Sequence, residues 1–339
     1  MTTMIWGANG FFGINTARCL ADRGEEVIMV NRHPMQGHPL LAKYWDKQIK
    51  QATGDMVNLA VVLDLVKNYK ADSLIHAGVN TAGTSHGSKF SESLNMLFRS
   101  QIDGILNLCE AAKILELRRV TYISSLAVYR GWPHNSEAWT EDAFLPPLPC
   151  PPHADKKSVS TSQASSQGLS QRKTAEISIP KRACEHIGFF YSETYGFSFA
   201  AIRPGNNYGV HCYTTVNRIV ENAIQGKPTD LSTQDGNARW NPVNAKDSGE
   251  ITAIVHLAKS LKHYIYNICD GTHPTTKDIV NIAKELFPKA KIKLGTSKGK
   301  PGDPVPHDIS RIKEEFGFVP MTLKQGIKHY ASYLKTGKY

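Results

Sequence analysis

The chain has 339 residues, 41% of them hydrophobic and 21% charged, and carries a formal net charge of +10. Those values exclude a chain disordered as a whole and supply a core for roughly two structural units. No window approaches the ~18 consecutive apolar residues of a membrane span. The first residues lack the basic and apolar regions of a secretory signal, so a cytoplasmic protein is expected.

The positive excess attracts anions such as nucleotide phosphates. Its Lys and Arg residues are scattered in small clusters, Lys156-Lys157 and Arg172-Lys173 among them. They form no dense block, so nucleic acid is a possible partner but not the favoured one. Six cysteines occur with no Cys-x-x-Cys pair. They read as small buried apolar residues in a reducing compartment, and no metal site is expected.

Strand and helix signals alternate through the first half. Thr2–Trp6 reads as a strand, Phe11–Arg23 as an amphipathic helix, and Glu26–Val30 as a buried β-branched strand. Lys47–Thr53 (strand), Val57–Tyr69 (helix) and Asp72–His76 (strand) follow, then a long helix, Ser91–Leu117, and a strand, Arg119–Ser124. Repeated β-α-β units predict a Rossmann-type, doubly wound parallel sheet with helices on both faces. From Gly131 to Pro180 the chain is rich in Pro, Ser and Gln and reads as a long surface loop, a candidate lid. Order resumes with a helix at Lys181–Tyr195 and a strand at Phe197–Arg203. Helices at Val216–Gln225 and Ser248–Leu261, a strand at Tyr264–Cys269, a helix at Thr276–Leu286 and a strand at Lys291–Leu294 come next. Two short helices end the chain. The expected division is a dinucleotide-binding domain over 1–203 and a small substrate lobe over 204–339, with 238–263 returning to the first domain.

The first chemical signal is Gly7-Ala8-Asn9-Gly10-Phe11-Phe12-Gly13, between a strand and a helix. In such a turn the first glycine permits the tight bend and the second lets backbone N–H groups approach a pyrophosphate. The third allows close helix–strand packing. The phosphates then face a helix N-terminus, where unpaired N–H groups favour negative charge. At the end of the second strand stand Asn31-Arg32, where NAD-binding chains usually carry Asp or Glu for the ribose hydroxyl. A neutral residue beside Arg welcomes a 2′-phosphate, so NADP(H) is expected over NAD(H).

These residues resemble the extended short-chain dehydrogenase/reductase superfamily, in its NAD-dependent epimerase/dehydratase group, nearly end to end. The GxxGxxG spacing, Gly54-Asp55-Met56, Ile75-His76-Ala77-Gly78 and Tyr122-Ile123-Ser124-Ser125-Leu126-Ala127-Val128-Tyr129 all match its motifs. So do Glu141-Asp142, Arg203-Pro204-Gly205-Asn206-Asn207-Tyr208-Gly209, the segment Asn241–Asp247 with Asn244 at the family's His, Tyr266-Asn267-Ile268 and Phe316–Pro320. The resemblance implies that cofactor is held by Gly7, Asn9, Gly10, Phe11, Phe12, Gly13, Asn31 and Arg32. Asp55, Met56, His76, Ala77, Gly78, Ser124, Lys181, Arg203 and Pro204 complete that set. Ser125, Asn206, Asn207, Tyr208 and Arg239 would meet substrate, Arg239 as a candidate for its phosphate. The equivalents of the two long helices often form a four-helix interface, which implies a homodimer.

The family's catalytic set is a Ser or Thr, a Tyr acting as acid or base, and a Lys four residues after the Tyr. Ser125 and Lys181 fall on two of these positions. The third is Ile177, and no Tyr in the chain stands four residues before a Lys. Isoleucine neither gives nor takes a proton. Ser178 as a helix cap and Pro180 in a first turn would leave Ile177 just outside the helix. Three readings stay open. Another side chain, Tyr129, His76 or His153, supplies the proton; or the chemistry needs no phenol; or the chain binds nucleotide or RNA without turnover. The leading expectation is an NAD(P)-dependent epimerase, dehydratase or reductase. It would act at a hydroxyl or carbonyl carbon of a nucleotide sugar or related polar metabolite.

Overall fold

The computed structural model describes residues 1–35, 37–78, 94–129, 138–143, 164–295 and 305–339, with the backbone alone at 94 and 164–176. The N-terminal elements are β1 (Thr2–Trp6), α1 (Phe11–Ala21), β2 (Glu26–Asn31), β3 (Ile49–Thr53), α2 (Leu59–Tyr69), β4 (Ser73–His76), α3 (Leu94–Ile114), β5 (Arg119–Ile123), α4 (Ala164–Tyr195) and β6 (Ser198–Pro204). After them come β7 (Asn206–Tyr208), α5 (Thr215–Gln225), β8 (Thr229–Leu231), β9 (Pro242–Asn244), α6 (Ala245–Leu257), β10 (Ile265–Ile268), α7 (Thr276–Leu286), β11 (Ile292–Leu294), α8 (Ser310–Phe316) and α9 (Leu323–Thr336).

Seven parallel strands make one sheet in the order β10-β6-β5-β4-β1-β2-β3. Apolar residues alternate between its faces, as the two-residue strand period requires. Met4, Trp6, Ile28, Val30, Val120 and Tyr122 pack with α2, α3 and α4. Ile5, Val27, Met29, Ile123 and Ile202 pack on the opposite face with α1 and α6. Each fully buried Val, Ile, Leu or Met contributes about 1.5–3 kcal/mol over an exposed one. α1 and α6 cross so closely at Gly249 that a Cβ there would stand 2.7 Å from the backbone of Asn15.

Buried polar groups tie α6 to the sheet. His256 places Nδ1 2.8 Å from Thr121 Oγ1 and Nε2 3.0 Å from Ser73 Oγ. Arg119 Nη1 donates to the carbonyls of Val255, His256 and Ala258, which lack helical partners at the C-terminus of α6. The winding direction reverses between β1 and β4. In open parallel sheets, ligands bind outside the carboxyl strand ends at such a switch point.

The doubly wound sheet agrees with the sequence reading, and several particulars do not. α4 begins at Ala164, not Lys181, so 164–180 is helix and not loop. The Ser/Gln tract has no apolar stripe, yet Ala, Gln, Lys, Arg and Glu all favour helix. Pro180 lies inside this helix, where it removes one backbone bond, and Ser178 is a buried mid-helix residue, not a cap. Residues 144–163 of the expected lid, with His153, lie outside the described residues. β7, β8 and β9 were not foreseen; each has three residues, too short for a periodic pattern. β10 pairs with β6 and forms an edge of the main sheet. α6 starts at Ala245 because Asn244 Oδ1 accepts the Lys246 N–H at 2.9 Å, a side-chain cap.

Candidate active site

At the switch point the chain makes its tightest approach. Gly7 follows β1 with φ +78°, a left-handed conformation that suits glycine, and a Cβ on it would stand 2.2 Å from Gly78 Cα. Gly13 packs on Ala8, where a Cβ would meet the backbone at 2.4 Å. Gly10 differs. It is exposed, and a Cβ on it would meet nothing nearer than Gly7 O at 3.7 Å. Two glycines therefore close the turn against the protein, and the middle one opens it outward at the N-terminus of α1. Polar atoms lie beside it: Asn9 Oδ1 and Asn31 Nδ2 are buried without a hydrogen-bond partner among the described residues. An open cradle at a helix N-terminus with unspent polar atoms fits a dinucleotide's pyrophosphate and ribose.

The neighbouring residues read from sequence fall around this turn. Phe11 and Phe12 stack at 4.3 Å in the first turn of α1. Asn31 Oδ1 accepts the Asn9 N–H at 2.8 Å, and Arg32 is exposed. Asp55 Oδ1 accepts the Val57 N–H at 3.2 Å, and the Met56 side chain packs against Gly78. Ala77 donates its N–H to Trp6 O at 2.9 Å, fixing the end of β4 beside β1. His76 is fully buried, stands edge-on to Tyr122 at 5.2 Å, and has no hydrogen bond to either ring nitrogen among the described residues. Burial, reinforced by nearby Lys181, pushes its pKa down to about 3, so it packs as a neutral ring.

The other wall is the end of β5 and the inner face of α4. Ser125 is half-buried just past β5, and its Oγ accepts the Ala127 N–H at 3.0 Å. Lys181 is buried, donates to Ile123 O at 2.5 Å, and lies 4.7 Å over the Tyr122 ring. Burial pulls its pKa down to about 8. Ile177 sits one turn before Lys181 on the same helix face, 40% exposed. It is thus inside the helix and presents only hydrocarbon.

Beneath this wall runs a buried network. Ser124 Oγ donates to Glu185 Oε1 at 2.5 Å. Arg203 makes a bidentate pair with Glu185 at 2.9 and 2.6 Å, and its Nη1 donates to the Tyr129 hydroxyl at 2.6 Å. That hydroxyl lies 2.9 Å from Asn267 Oδ1 and 3.1 Å from Thr140 O. Tyr129 is buried, and burial raises its phenol to about 12. The Tyr129 hydroxyl and the Arg203 guanidinium thus meet one another and other protein groups inside the fold. The Glu185 side chain was missed as a site element. Its signal is the four-residue spacing from Lys181, which stacks the two on one face of α4.

On the substrate side, Pro204 ends β6 against Ile268. Asn206 Oδ1 accepts the Asn241 N–H at 2.9 Å, and Asn207 Oδ1 accepts from Ser248 Oγ at 2.6 Å. Tyr208 is buried, and its hydroxyl donates to Leu323 O at 3.4 Å under α9. Arg239 is exposed and donates to His273 O at 3.0 Å, leaving most of its guanidinium to solvent. No group of three metal-ligating side chains gathers among the described residues, and no described helix is long and apolar enough to cross a membrane.

A doubly wound sheet, a phosphate-type turn at its switch point and a serine and lysine on the facing wall define a dinucleotide-binding protein of the Rossmann type. The model of the NAD-dependent epimerase/dehydratase family matches residues 3–269, and the chain belongs to that family. Among relatives, a UDP-glucuronate 4-epimerase of Thermodesulfobacterium geofontis is 20% identical, over 98% of this chain and 95% of its own. A dTDP-glucose 4,6-dehydratase of Bacillus anthracis, solved with NAD, superposes with a TM-score of 0.75 at 19% identity, covering 100% of this chain and 98% of its own. An L-threonine dehydrogenase of Cupriavidus necator gives a TM-score of 0.76 at 17% identity, covering 98% and 100%.

Proposed function

We propose that the chain is a nicotinamide-dinucleotide-dependent enzyme acting at a hydroxyl or carbonyl carbon of a nucleotide sugar or related polar metabolite. The observation that carries this reading is the outward-opening turn at Gly10 after β1, with Ser125 just past β5 and Lys181 bonded to the last residue of β5, at the carboxyl ends of strands of one parallel sheet. Gly7, Gly10 and Gly13 seat the pyrophosphate. Lys181, a buried cation whose bond to a carbonyl leaves donors unspent, holds the nicotinamide ribose. Ser125 donates to the reacting oxygen of the substrate, and Arg239 meets a substrate phosphate. When bound, the nicotinamide supplies hydride transfer. Tyr129, Arg203 and Tyr208 brace the walls. The nucleotide-sugar class rests on the epimerase and dehydratase relatives.

Ile177 favours a second reading, in which the same cleft binds nucleotide without turnover. The test is incubation of the purified chain and NAD with UDP-glucuronate or dTDP-glucose, followed by chromatography of the sugar nucleotide and absorbance of the reduced cofactor. L-Threonine is the control from the third relative. Conversion of a sugar nucleotide by the native chain is expected. Cofactor binding without any turnover, with turnover gained in Ile177→Tyr, would establish the second reading instead.

A homodimer through α3 and α4 belongs to the proposal. Ile179 and Phe190 on α4, and Met96 and Ile114 on α3, are exposed apolar residues on neighbouring helices. Sedimentation at twice the chain's mass is expected, falling to the single mass in Phe190→Glu; a native chain that sediments as a monomer removes this part. A cytoplasmic setting belongs to the proposal and rests on the five described cysteines, all buried thiols.

A further inference from the structure

The turn proposed to hold the dinucleotide is clamped from outside its own strand and helix, by the loop after β7; the argument rests on the dinucleotide reading above. We infer that His211 is a positioning residue for the cofactor. It fixes the Asn9–Gly10 peptide from that loop, so the order of the loop and the binding of dinucleotide depend on one another.

The loop reaches the turn because it is held at successive residues. Gly209 donates its N–H to Asn217 Oδ1 at 3.1 Å and accepts from Asn217 Nδ2 at 2.8 Å, which ties it to the first turn of α5. Val210 O accepts from Asn15 Nδ2 at 3.1 Å, which ties it to α1. His211 then takes φ +65°, a left-handed conformation in which glycine is the ordinary occupant and a side chain is strained. Its ring stands edge-on to that of His38 at 4.9 Å, and its Nε2 lies 3.2 Å from Asn9 O. A carbonyl only accepts, so Nε2 carries the proton of this bond. Backbone strain of this kind gathers at ligand clamps and active sites, where the surrounding structure holds it in place.

Asn9 needs such a grip. The peptide that joins it to Gly10 precedes a glycine, whose freedom leaves the plane of that peptide poorly fixed by the chain itself. The Gly10 N–H donates to Gly7 O at 3.4 Å, a long bond that closes the turn. Rotation of the plane would carry the Asn9 oxygen off His211 and the Gly10 N–H off Gly7 O together. Asn31 Oδ1, which accepts the Asn9 N–H at 2.8 Å, holds the preceding peptide and does not fix this one. His211 therefore sets the turn in its closed form before a phosphate arrives, and a site ordered in advance binds more tightly than one ordered by its ligand. The coupling is reciprocal: a dinucleotide that holds the turn closed also holds the loop that grips it.

Calorimetric titration of the full chain, freed of bound nucleotide, with NAD⁺ tests this beside a thermal melt. His211→Gly removes the ring and suits φ +65°, so the variant is expected to melt close to the native protein yet to bind about tenfold more weakly. His211→Gln offers an amide nitrogen the same number of bonds from the backbone and is expected to keep most of the affinity. Hydrogen exchange gives the reciprocal readout. Saturating NAD⁺ is expected to slow exchange at the amides of 209–212 in the native chain and not in His211→Gly. Affinity unchanged in His211→Gly, or lost equally in His211→Gln, overturns the inference and leaves the dinucleotide reading standing. So does exchange in the native loop that ignores NAD⁺. Absence of binding by the native chain overturns both. Exchange in the native chain decides even where neither variant folds.

Discussion

Gly10→Val is expected to lower the affinity for either dinucleotide at least about 100-fold while the protein stays folded. The two flanking glycines cannot serve this purpose. A side chain at Gly7 or Gly13 would overlap backbone at 2.2 or 2.4 Å, so a lost affinity there would report only a broken fold. Gly10 is in ordinary extended conformation, φ −75° and ψ 164°, with its nearest protein neighbour 3.7 Å from a new Cβ. Its carbonyl still accepts the Ile14 N–H at 3.0 Å, the first bond of α1. The fold then loses no more than about 1 kcal/mol, the difference between glycine and an apolar residue at a helix N-cap. The branched side chain instead fills the space where N–H groups would meet phosphate, and about 100-fold in affinity corresponds to ~2.7 kcal/mol of lost contact. Calorimetry gives the affinity and a thermal melt gives the fold. Unchanged affinity in a folded variant would remove the turn from the site and the proposed function with it.

Much of this was legible in the sequence because it is local. A glycine triplet at fixed offsets between a strand and a helix needs no partner elsewhere in the chain to be read, and strands buried on both faces stand out as apolar runs. The unread part is made between distant segments. Tyr129 is offered by the sequence as one of several side chains that could supply the proton; only the fold shows its hydroxyl beside Arg203, Asn267 and Thr140. Tyr208 sits in a motif that suggests a pocket, yet α9, more than a hundred residues later, covers it. Nor does the sequence show that Asn31, read beside Arg32, gives its oxygen to the N–H of Asn9, 22 residues away. The start of α4 was lost for a different reason. Helix propensity without an apolar stripe gives no periodic signal, and a Pro read as a boundary lies in mid-helix.

Arg203→Ala should be the most destabilising single change at this site, by about 3–5 kcal/mol against a total stability of order 5–15 kcal/mol. The guanidinium and the Glu185 carboxylate are 3% and 4% exposed and meet through two parallel hydrogen bonds. Desolvating such a pair offsets much of its attraction, so the intact bridge adds modest net stability. Removing one partner is another matter, because Glu185 is left as a buried charge that has lost its two parallel hydrogen bonds and keeps the Ser124 hydroxyl, with Lys181 and Arg182 as nearby cations. The same change takes the donor from Tyr129, whose hydroxyl links β6 to Asn267 on β10. Tyr129→Phe, which deletes a hydroxyl and leaves the ion pair, should cost only about 1 kcal/mol. Arg203→Lys should recover a minor share of the loss, since an ammonium cannot reproduce the two parallel bonds. Urea unfolding of the variants orders these effects. A loss under about 1 kcal/mol in Arg203→Ala would mean that water or a rearranged neighbour compensates Glu185. The network would then no longer account for how the ends of β5 and β6 are held beneath Ser125 and Lys181.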